Sequence, residues 1–325
     1  MSSVNTKKTE LTVRVASIKQ VAPAIKEFLL EADNVSLPAY SAGSHVVVLM
    51  ESDEQESKKI FRNPYSLLSD SDGENSYRIA VRLQDSSRGG SVFMHQSVKE
   101  GDRLTIKPPA NLFAPYWRAK KHVLFAGGVG ITPFMSYLPE MLRRSAEVEM
   151  HYMFHSNVTG AYQDELSQML GDKLHCYDSD QSVRCRIYPV MAAQPIGTHV
   201  YICGPESLVK AVQSAADELG WPASAIHYEA FSAPAPGKPF VAELKRTGKR
   251  IEVGSDESLL EALEAAEVDI QSSCRGGVCG RCMTPLIDGQ ADHRDQFLSD
   301  DEKARQDCVM PCVSRAQNDK LVLDL

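Results

Sequence analysis

The chain has 325 residues, 43% of them hydrophobic and 24% charged, and a net charge of −8. That length allows two or three domains of ordinary globular composition, and the negative charge argues against nonspecific binding to nucleic acid or an anionic membrane. No apolar run is long enough to span a bilayer, and the opening MSSVNTKKTE has no apolar secretory core, so a cytoplasmic protein without membrane contact is expected.

Residues 11–110 read as short strands. LTVRVASIKQ, IKEFLLEA, SHVVVLME, NPYSLLSD, YRIAVRLQ and DRLTIKPP alternate apolar and polar positions between turn residues, the pattern of a small antiparallel barrel. A helical stretch is expected over 90–98. Two segments here carry chemistry. FRNPYSLL holds Arg62, Tyr65 and Ser66, and AVRLQDSSRGGSVFMH holds Arg82, Arg88, Gly89, Gly90 and Ser91. A glycine turn opening a helix offers unpaired N–H groups to an anion, and nearby arginines add charge-assisted contacts. Either segment alone is a weak signal; the pair in this order is stronger.

PPANLF closes this part at Phe113. From 120 to 230 strands and helices alternate: HVLFAGG, TPFMSYLPEMLRR, VEMHYMFHS, YQDELSQML, THVYICG, PESLVKAVQSAADEL and SAIHYEAF. Such alternation predicts a parallel sheet covered by helices. AGGVGITP sits between a strand and a helix, where Gly127, Gly128 and Gly130 let a pyrophosphate approach the backbone. Cys203, Gly204 and Pro205 form a second turn at the same sheet end, and ligands of such folds gather there; a buried, small apolar role is the commoner fate of a cysteine like Cys203. His151 and His155 share a strand face but stand ~13 Å apart, too far to share an ion, and read as structural.

SAPAPGKP, residues 232–239, reads as a linker. A hairpin over FVAELKRTGKRIEV follows, then a helix over SLLEALEAAEV opened by Ser255 and Asp256, more strand in CMTPLIDGQADH, and a terminal strand LVLDL. Cys274, Cys279 and Cys282 are spaced C-x4-C-x2-C, and Cys312 follows near the end. Three thiolates from one loop and one from a distant segment match a plant-type [2Fe–2S] cluster. Gly276, Gly277 and Gly280 let that loop curl tightly. A structural zinc site usually pairs its cysteines as C-x2-C twice over, which fits this spacing badly. From Gly237 onward there are 12 Lys/Arg against 17 Asp/Glu, an acidic face suited either to a basic partner or simply to solvent.

Together R-x-x-Y-S-L at 62–67, RGGS at 88–91, GGVGITP at 127–133, CGP at 203–205 and the cysteine pattern resemble the phthalate dioxygenase reductase family, over essentially the whole chain and with the ferredoxin domain last. The tail DHRDQFLSDDEKA…CVSRA…LVLDL is especially similar to carnitine-type reductases, and vanillate demethylase reductases also look alike. The resemblance implies a multidomain fold: an antiparallel β-barrel flavin domain over 1–113, an α/β parallel-sheet nucleotide domain over 114–231, and an α+β plant-type ferredoxin domain over 240–325. It implies that Tyr65 and Ser66 contact the flavin and Arg62 its phosphate, that the backbone of Ala80, Val81 and Arg82 lines the ring, and that Arg88, Gly89, Gly90 and Ser91 cradle the phosphate. Thr132, Cys203 and the aromatic Phe231 would lie at the reacting centre, with Gly127, Gly128, Gly130, Gly204 and Pro205 holding the dinucleotide. FMN rather than FAD follows from the family.

Two departures from the family pattern matter. His155, Ser156 and Asn157 stand where some relatives carry an arginine, which favours NADH over NADPH. Cys308 lies four residues before Cys312 and is a rival fourth ligand, although the C-x-S-R pattern favours Cys312. The expected function is transfer of electrons from NADH through FMN and [2Fe–2S] to a Rieske-type oxygenase component. The alternatives are a reductase serving many acceptors and a non-enzymatic metal-binding redox or scaffold module.

Overall fold

The computed structural model describes residues 10–33, 36–51, 60–68, 75–85, 87–229, 231 and 235–325. The chain divides into two compact units after Glu229. The first begins with β1 (Leu11–Ala22), β2 (Ile25–Ala32), β3 (Ser44–Glu51), β4 (Ile60–Ser66), β5 (Ser76–Arg82), α1 (Gly90–Gln96), β6 (Arg103–Ile106) and the short β7 (Ala110–Asn111). The strands run β4-β3-β6-β1-β2-β5, all antiparallel, with β7 beside β3. A bridge between Leu67 and Ile79 joins the two ends of that order and closes the barrel. Closure leaves no free edge, and Val13, Val15, Phe28, Leu30, Val46, Val48 and Ile79 fill the interior without exposure.

The same unit continues with β8 (Lys121–Gly127), α2 (Thr132–Arg143), β9 (Glu147–Phe154), α3 (Gln163–Leu170), β10 (Leu174–Asp178), α4 (Ile187–Ala192), β11 (Thr198–Cys203), α5 (Glu206–Glu218) and β12 (Ile226–Glu229). These five strands are parallel in the order β10-β9-β8-β11-β12. Strand β10 and helix α4 were not expected from the sequence; LHCYD is too short and mixed to stand out as a strand. One core runs through both sheets of the unit, joining Ala22, Ile25, Ala42, Ala80 and Phe113 to Phe134, Tyr137 and Leu138 of α2. The Tyr137 hydroxyl donates to the Phe113 carbonyl, and the Gly43 N–H donates to Ser136 Oγ at 3.0 Å. Gly43 has φ +87°, and a Cβ there would lie 2.0 Å from the Phe113 carbonyl oxygen.

The second unit contains β13 (Phe240–Leu244), β14 (Arg250–Val253), α6 (Leu259–Ala265), β15 (Thr284–Asp292), α7 (Asp300–Arg305), β16 (Cys308–Val309) and β17 (Arg315–Leu323), in the sheet order β14-β13-β17-β15-β16. The expected hairpin is β13–β14. Helix α6 opens at Ser258, not at Ser255 or Asp256. There the Ser258 hydroxyl accepts from the Glu261 N–H while the Glu261 carboxylate accepts from the Ser258 N–H, a reciprocal cap that satisfies two orphan donors. Helix α7 is capped in the same way by Ser299 and Glu302. Residues 232–234 of the expected linker, and Ser69 and Asp70 of the strand expected over 63–70, lie outside the described residues. Among the described residues no helix is long and apolar enough to cross a membrane.

A stack of rings crosses β8, β11 and β12. His199 and His227 face each other at 5.2 Å, Tyr201 lies 4.7 Å from His227, and His122 lies 5.7 Å from Tyr201. His122 Nδ1 has no hydrogen-bond partner among the described residues. Burial and the neighbouring histidines lower His122 to about 4, and burial with His199 lowers His227 to about 4. Both values lie below the unfolded one, so the unfolded chain binds protons first as pH falls. Stability of this unit is therefore expected to be full above about pH 6.5 and to decline toward pH 4, by up to about 1.4 kcal/mol per pH unit for each group. Thermal unfolding across that range checks this, and His122→Gln is expected to flatten the slope.

Candidate redox site

The barrel brings the two sequence segments with Arg62 and Arg88 together. Strand β4 carries Arg62, Asn63, Tyr65 and Ser66, and the turn into α1 lies against it. Gly89 has φ +122°, and a Cβ there would sit 2.2 Å from the Phe61 ring; one at Gly90 would sit 2.5 Å from the Asn63 amide nitrogen. The positive φ at Gly89 calls for glycine, and a side chain at Gly90 would have to push the Asn63 amide aside. Ser91 is buried, its hydroxyl donating to Ser87 Oγ at 2.9 Å and accepting from the Gln84 N–H at 3.2 Å. Asn63 Nδ2 donates to the Tyr65 hydroxyl at 3.3 Å, and desolvation pushes that hydroxyl up to about 12, which keeps it a neutral donor. Ser66 Oγ and Arg82 Nε are buried without a hydrogen-bond partner among the described residues. Buried polar atoms are normally satisfied, so these two orphans fit a site shaped for a polar ligand. Ala80 and Val81, beside Arg82 on β5, are buried.

At the carboxyl ends of the parallel strands two turns interlock. Gly128 (φ +54°) begins a 3-10 turn, Gly128–Ile131, that leads into α2. A Cβ at Gly130 would fall 2.1 Å from the Cys203 carbonyl oxygen, one at Gly127 would fall 2.6 Å from Pro205 Cδ, and one at Gly204 would fall 2.9 Å from Gly127 Cα. The turns at 127–130 and 203–205 thus touch backbone to backbone, with Thr132 buried beneath them and its hydroxyl donating to the Val129 carbonyl at 3.0 Å. Cys203 is fully buried, and burial together with Glu229 holds its thiol well above the ordinary value. Phe231 is 38% exposed and lies past Glu229, where the first unit ends.

Three acidic residues at this sheet end were not singled out from the sequence. Glu229 is the register partner of Cys203, and its only signal was an acidic residue ending an apolar strand. Asp178 ends the unexpected β10 and Asp180 follows two residues later. Asp180 accepts from the Asn157 N–H at 2.9 Å and lies 2.8 Å from His155 Nδ1, while Asp178 accepts from the Ser156 N–H at 3.1 Å. The segment 155–157 is therefore organised around carboxylates.

In the second unit the four cysteines converge. Cys282 Sγ and Cys312 Sγ are 3.4 Å apart, and the Gly276 N–H points at Cys274 Sγ from 3.4 Å. A hydrogen bond from Cys279 and backbone N–H groups lower Cys274, while the same pairing raises Cys279. Gly277 and Gly280 have positive φ, and a Cβ on Gly280 would meet the Phe297 ring at 2.4 Å. Arg275 is buried and pairs in a fork with Glu264 of α6, at 2.9 Å for both contacts. Cys308, in β16, is the register partner of Pro285 in β15, and burial and Asp307 push it up to about 11. Four soft sulfur donors, with N–H groups facing them, fit an iron–sulfur cluster.

A closed antiparallel barrel and a parallel sheet with glycine turns in one unit, followed by a four-cysteine unit, define a modular iron–sulfur reductase. The comparisons agree. Residues 242–317 match the 2Fe-2S iron-sulfur cluster binding domain, and residues 102–226 match the N-terminal domain described as dimethylamine monooxygenase subunit DmmA-like. The chain is 50% identical over 317 residues to the heme-dependent oxidative N-demethylase beta subunit of Ectopseudomonas mendocina, covering 98% of this chain and 99% of that one. It is 41% identical over 317 residues to the carnitine monooxygenase reductase subunit of Escherichia coli, covering 96% and 98%. The solved structure of phthalate dioxygenase reductase, described as a modular structure for electron transfer from pyridine nucleotides to [2Fe-2S], superposes with a TM-score of 0.81 at 34% identity, over 97% of this chain and 98% of that one. The chain belongs to the phthalate dioxygenase reductase family. It is an oxidoreductase, the reductase component of an oxygenase system.

Two substitutions test the sulfur geometry. Cys312→Ser is expected to abolish the cluster's visible absorbance, and Cys308→Ser to leave it, with iron and sulfide assays as the measurement. Separately, Arg275→Ala removes the forked cation from the buried Glu264 carboxylate, a kind of change that costs about 3–5 kcal/mol. It is expected to lower the temperature at which the cluster bleaches.

Proposed function

We propose that the chain accepts hydride from NADH at FMN held by the barrel and delivers single electrons through [2Fe–2S] to an oxygenase component. The observation that carries this reading is the presence, in one chain, of the interlocked glycine turns, the orphaned Ser66 and Arg82 atoms of the barrel, and the converging sulfurs of Cys274, Cys279, Cys282 and Cys312. FMN supplies the exchange between two-electron and one-electron steps, and the cluster supplies one-electron delivery.

The roles of this chain's residues follow. Arg62, Arg88 and the backbone of Gly89, Gly90 and Ser91 would bind the FMN phosphate, while Tyr65, Ser66 and the backbone of Ala80, Val81 and Arg82 would orient the ring. Gly127, Gly128, Gly130, Gly204 and Pro205 would admit the NADH pyrophosphate. Thr132 would border the nicotinamide, and Cys203, neutral and buried, would offer contact surface there rather than a nucleophile. Phe231 is proposed as the aromatic beside the flavin from its place in the sequence. Domain limits of 1–113, 114–231 and 240–325, with the linker 232–239, go with these roles. Asp178 and Asp180 support NADH, because a 2′-phosphate near them would meet like charge. The reducing cytosol is the proposed location, where thiolates stay free for a cluster.

The acceptor expected from the sequence is a Rieske-type oxygenase. The 50% identity to a subunit of a heme-dependent N-demethylase, against 41% to a carnitine monooxygenase subunit, favours a heme-dependent amine demethylase as the partner. Reoxidation of the NADH-reduced protein by each kind of oxygenase component distinguishes them: faster turnover with the Rieske protein would reject the heme reading.

Anaerobic titration with NADH is expected to bleach both flavin and cluster bands, with released FMN and with iron and sulfide in cluster stoichiometry. A colourless, zinc-containing protein indifferent to NADH would reject the reductase reading in favour of a metal-binding scaffold. Asp180→Asn is expected to raise kcat/KM for NADPH by roughly tenfold with little change for NADH, as removing one repulsive charge predicts.

A further inference from the structure

The parallel sheet carries a second cluster of metal-type donors, away from the glycine turns. Glu149 and His151 lie two residues apart on β9 and so share one face. His175 on β10 is the register partner of His151 and joins them on that face. The two imidazole rings stack with centroids 4.8 Å apart and planes 19° from parallel. One ligand atom from each of Glu149, His151 and His175 lies within 4.8 Å of the others. Glu149 Oε1 is 2.8 Å from His151 Nε2 and 3.7 Å from His175 Nε2. Ligand atoms around a tetrahedral zinc, at bond lengths of about 2.1 Å, stand roughly 3.4 Å apart, so these two separations bracket the requirement, while the two imidazoles, with ligand atoms within 4.8 Å, have to rotate toward each other as the ion binds.

The outer groups are arranged as metal sites arrange them. A ligating imidazole normally uses its second nitrogen to hold a partner that fixes the ring. His151 Nδ1 lies 3.0 Å from the Tyr177 hydroxyl. The other carboxylate oxygen of Glu149 accepts from Lys121 Nζ at 2.6 Å and from Gln194 Nε2 at 3.4 Å, which leaves Oε1 toward the histidines. His151 is buried, whereas the His175 side chain is 43% exposed, so the cluster has both a fixed ligand and an opening to solvent. His175 stands three residues before the end of β10, about 10 Å from the sheet end where the turns lie.

We infer that Glu149, His151 and His175 form a binding site for a borderline divalent transition ion of the zinc type, independent of the iron–sulfur centre. Two imidazoles and a carboxylate suit zinc and leave a fourth position for water. On binding, His151 Nε2 changes from donor to ligand, and the ring proton moves to Nδ1, where the Tyr177 oxygen accepts it. The ion would tie the edge strand β10 to β9. Lys121 sets the affinity, since its ammonium competes for the same carboxylate.

The test uses the purified protein with flavin and cluster in place. Zinc is titrated against a chromogenic zinc indicator, iron content is followed, and the bound zinc is examined by X-ray absorption at its K-edge. The expected result is one zinc per chain with only nitrogen and oxygen neighbours and no loss of iron. His175→Ala is expected to weaken binding at least tenfold, Tyr177→Phe about tenfold, and Lys121→Met to strengthen it, a gain that a purely structural role for the cluster would not produce. NADH-dependent dye reduction by His175→Ala should be unchanged, which shows that the variant is folded. Sulfur neighbours around the zinc, an affinity indifferent to His175→Ala, or no binding by the unaltered protein at hundreds of micromolar zinc would each overturn the inference.

Discussion

Four sulfurs from two separate stretches of chain must meet around one small group, and the second unit is built to satisfy that demand. Thiolates crowded together repel, so the loop around them has to supply positive potential. It does so through backbone N–H groups, such as that of Gly276 aimed at Cys274, and these are available only because the loop is wound tightly through Gly277 and Gly280 at positive φ. The winding is held from behind by Arg275, fixed to Glu264. Glu264 is fixed in turn by a helix whose first turn is capped by Ser258 and Glu261. A cap, a helix and a buried ion pair thus stand in series behind the sulfurs.

The first unit solves a different problem, the approach of large ligands to the main chain. Both of its candidate sites rely on missing side chains. At Gly89 and Gly90 the turn closes on Phe61 and Asn63, and at Gly130 it closes on the Cys203 carbonyl. The barrel and the parallel sheet share one core through Phe113, Phe134 and Tyr137, so the two sites belong to one compact body. This suits hydride transfer, which tolerates little misplacement of the reacting groups.

Most of this was legible along the chain because the chemistry is local. C-x4-C-x2-C, GGVGITP and RGGS are contiguous, and the strand alternation around them is strong. What escaped was set by strand pairing. LHCYD carries too weak a periodicity to announce β10, so the carboxylates Asp178 and Asp180 at its end, and His175 within it, had no visible place. His151 and His155 were judged as a pair along one strand, yet the neighbour that matters for His151 comes from the next strand. Glu229 likewise gains meaning only through its register with Cys203.

By itself, then, the sequence determined the module order, the cysteine spacing of the loop and the glycine turns, since spacing and missing side chains are properties of short segments. Only the tertiary structure decided that Cys312 approaches Cys282, that carboxylates organise the segment at 155–157, and that Glu149, His151 and His175 share a face. Each of these depends on which strands lie side by side and in what register, and that choice is made by the packing of whole sheets, not by any stretch of residues read alone.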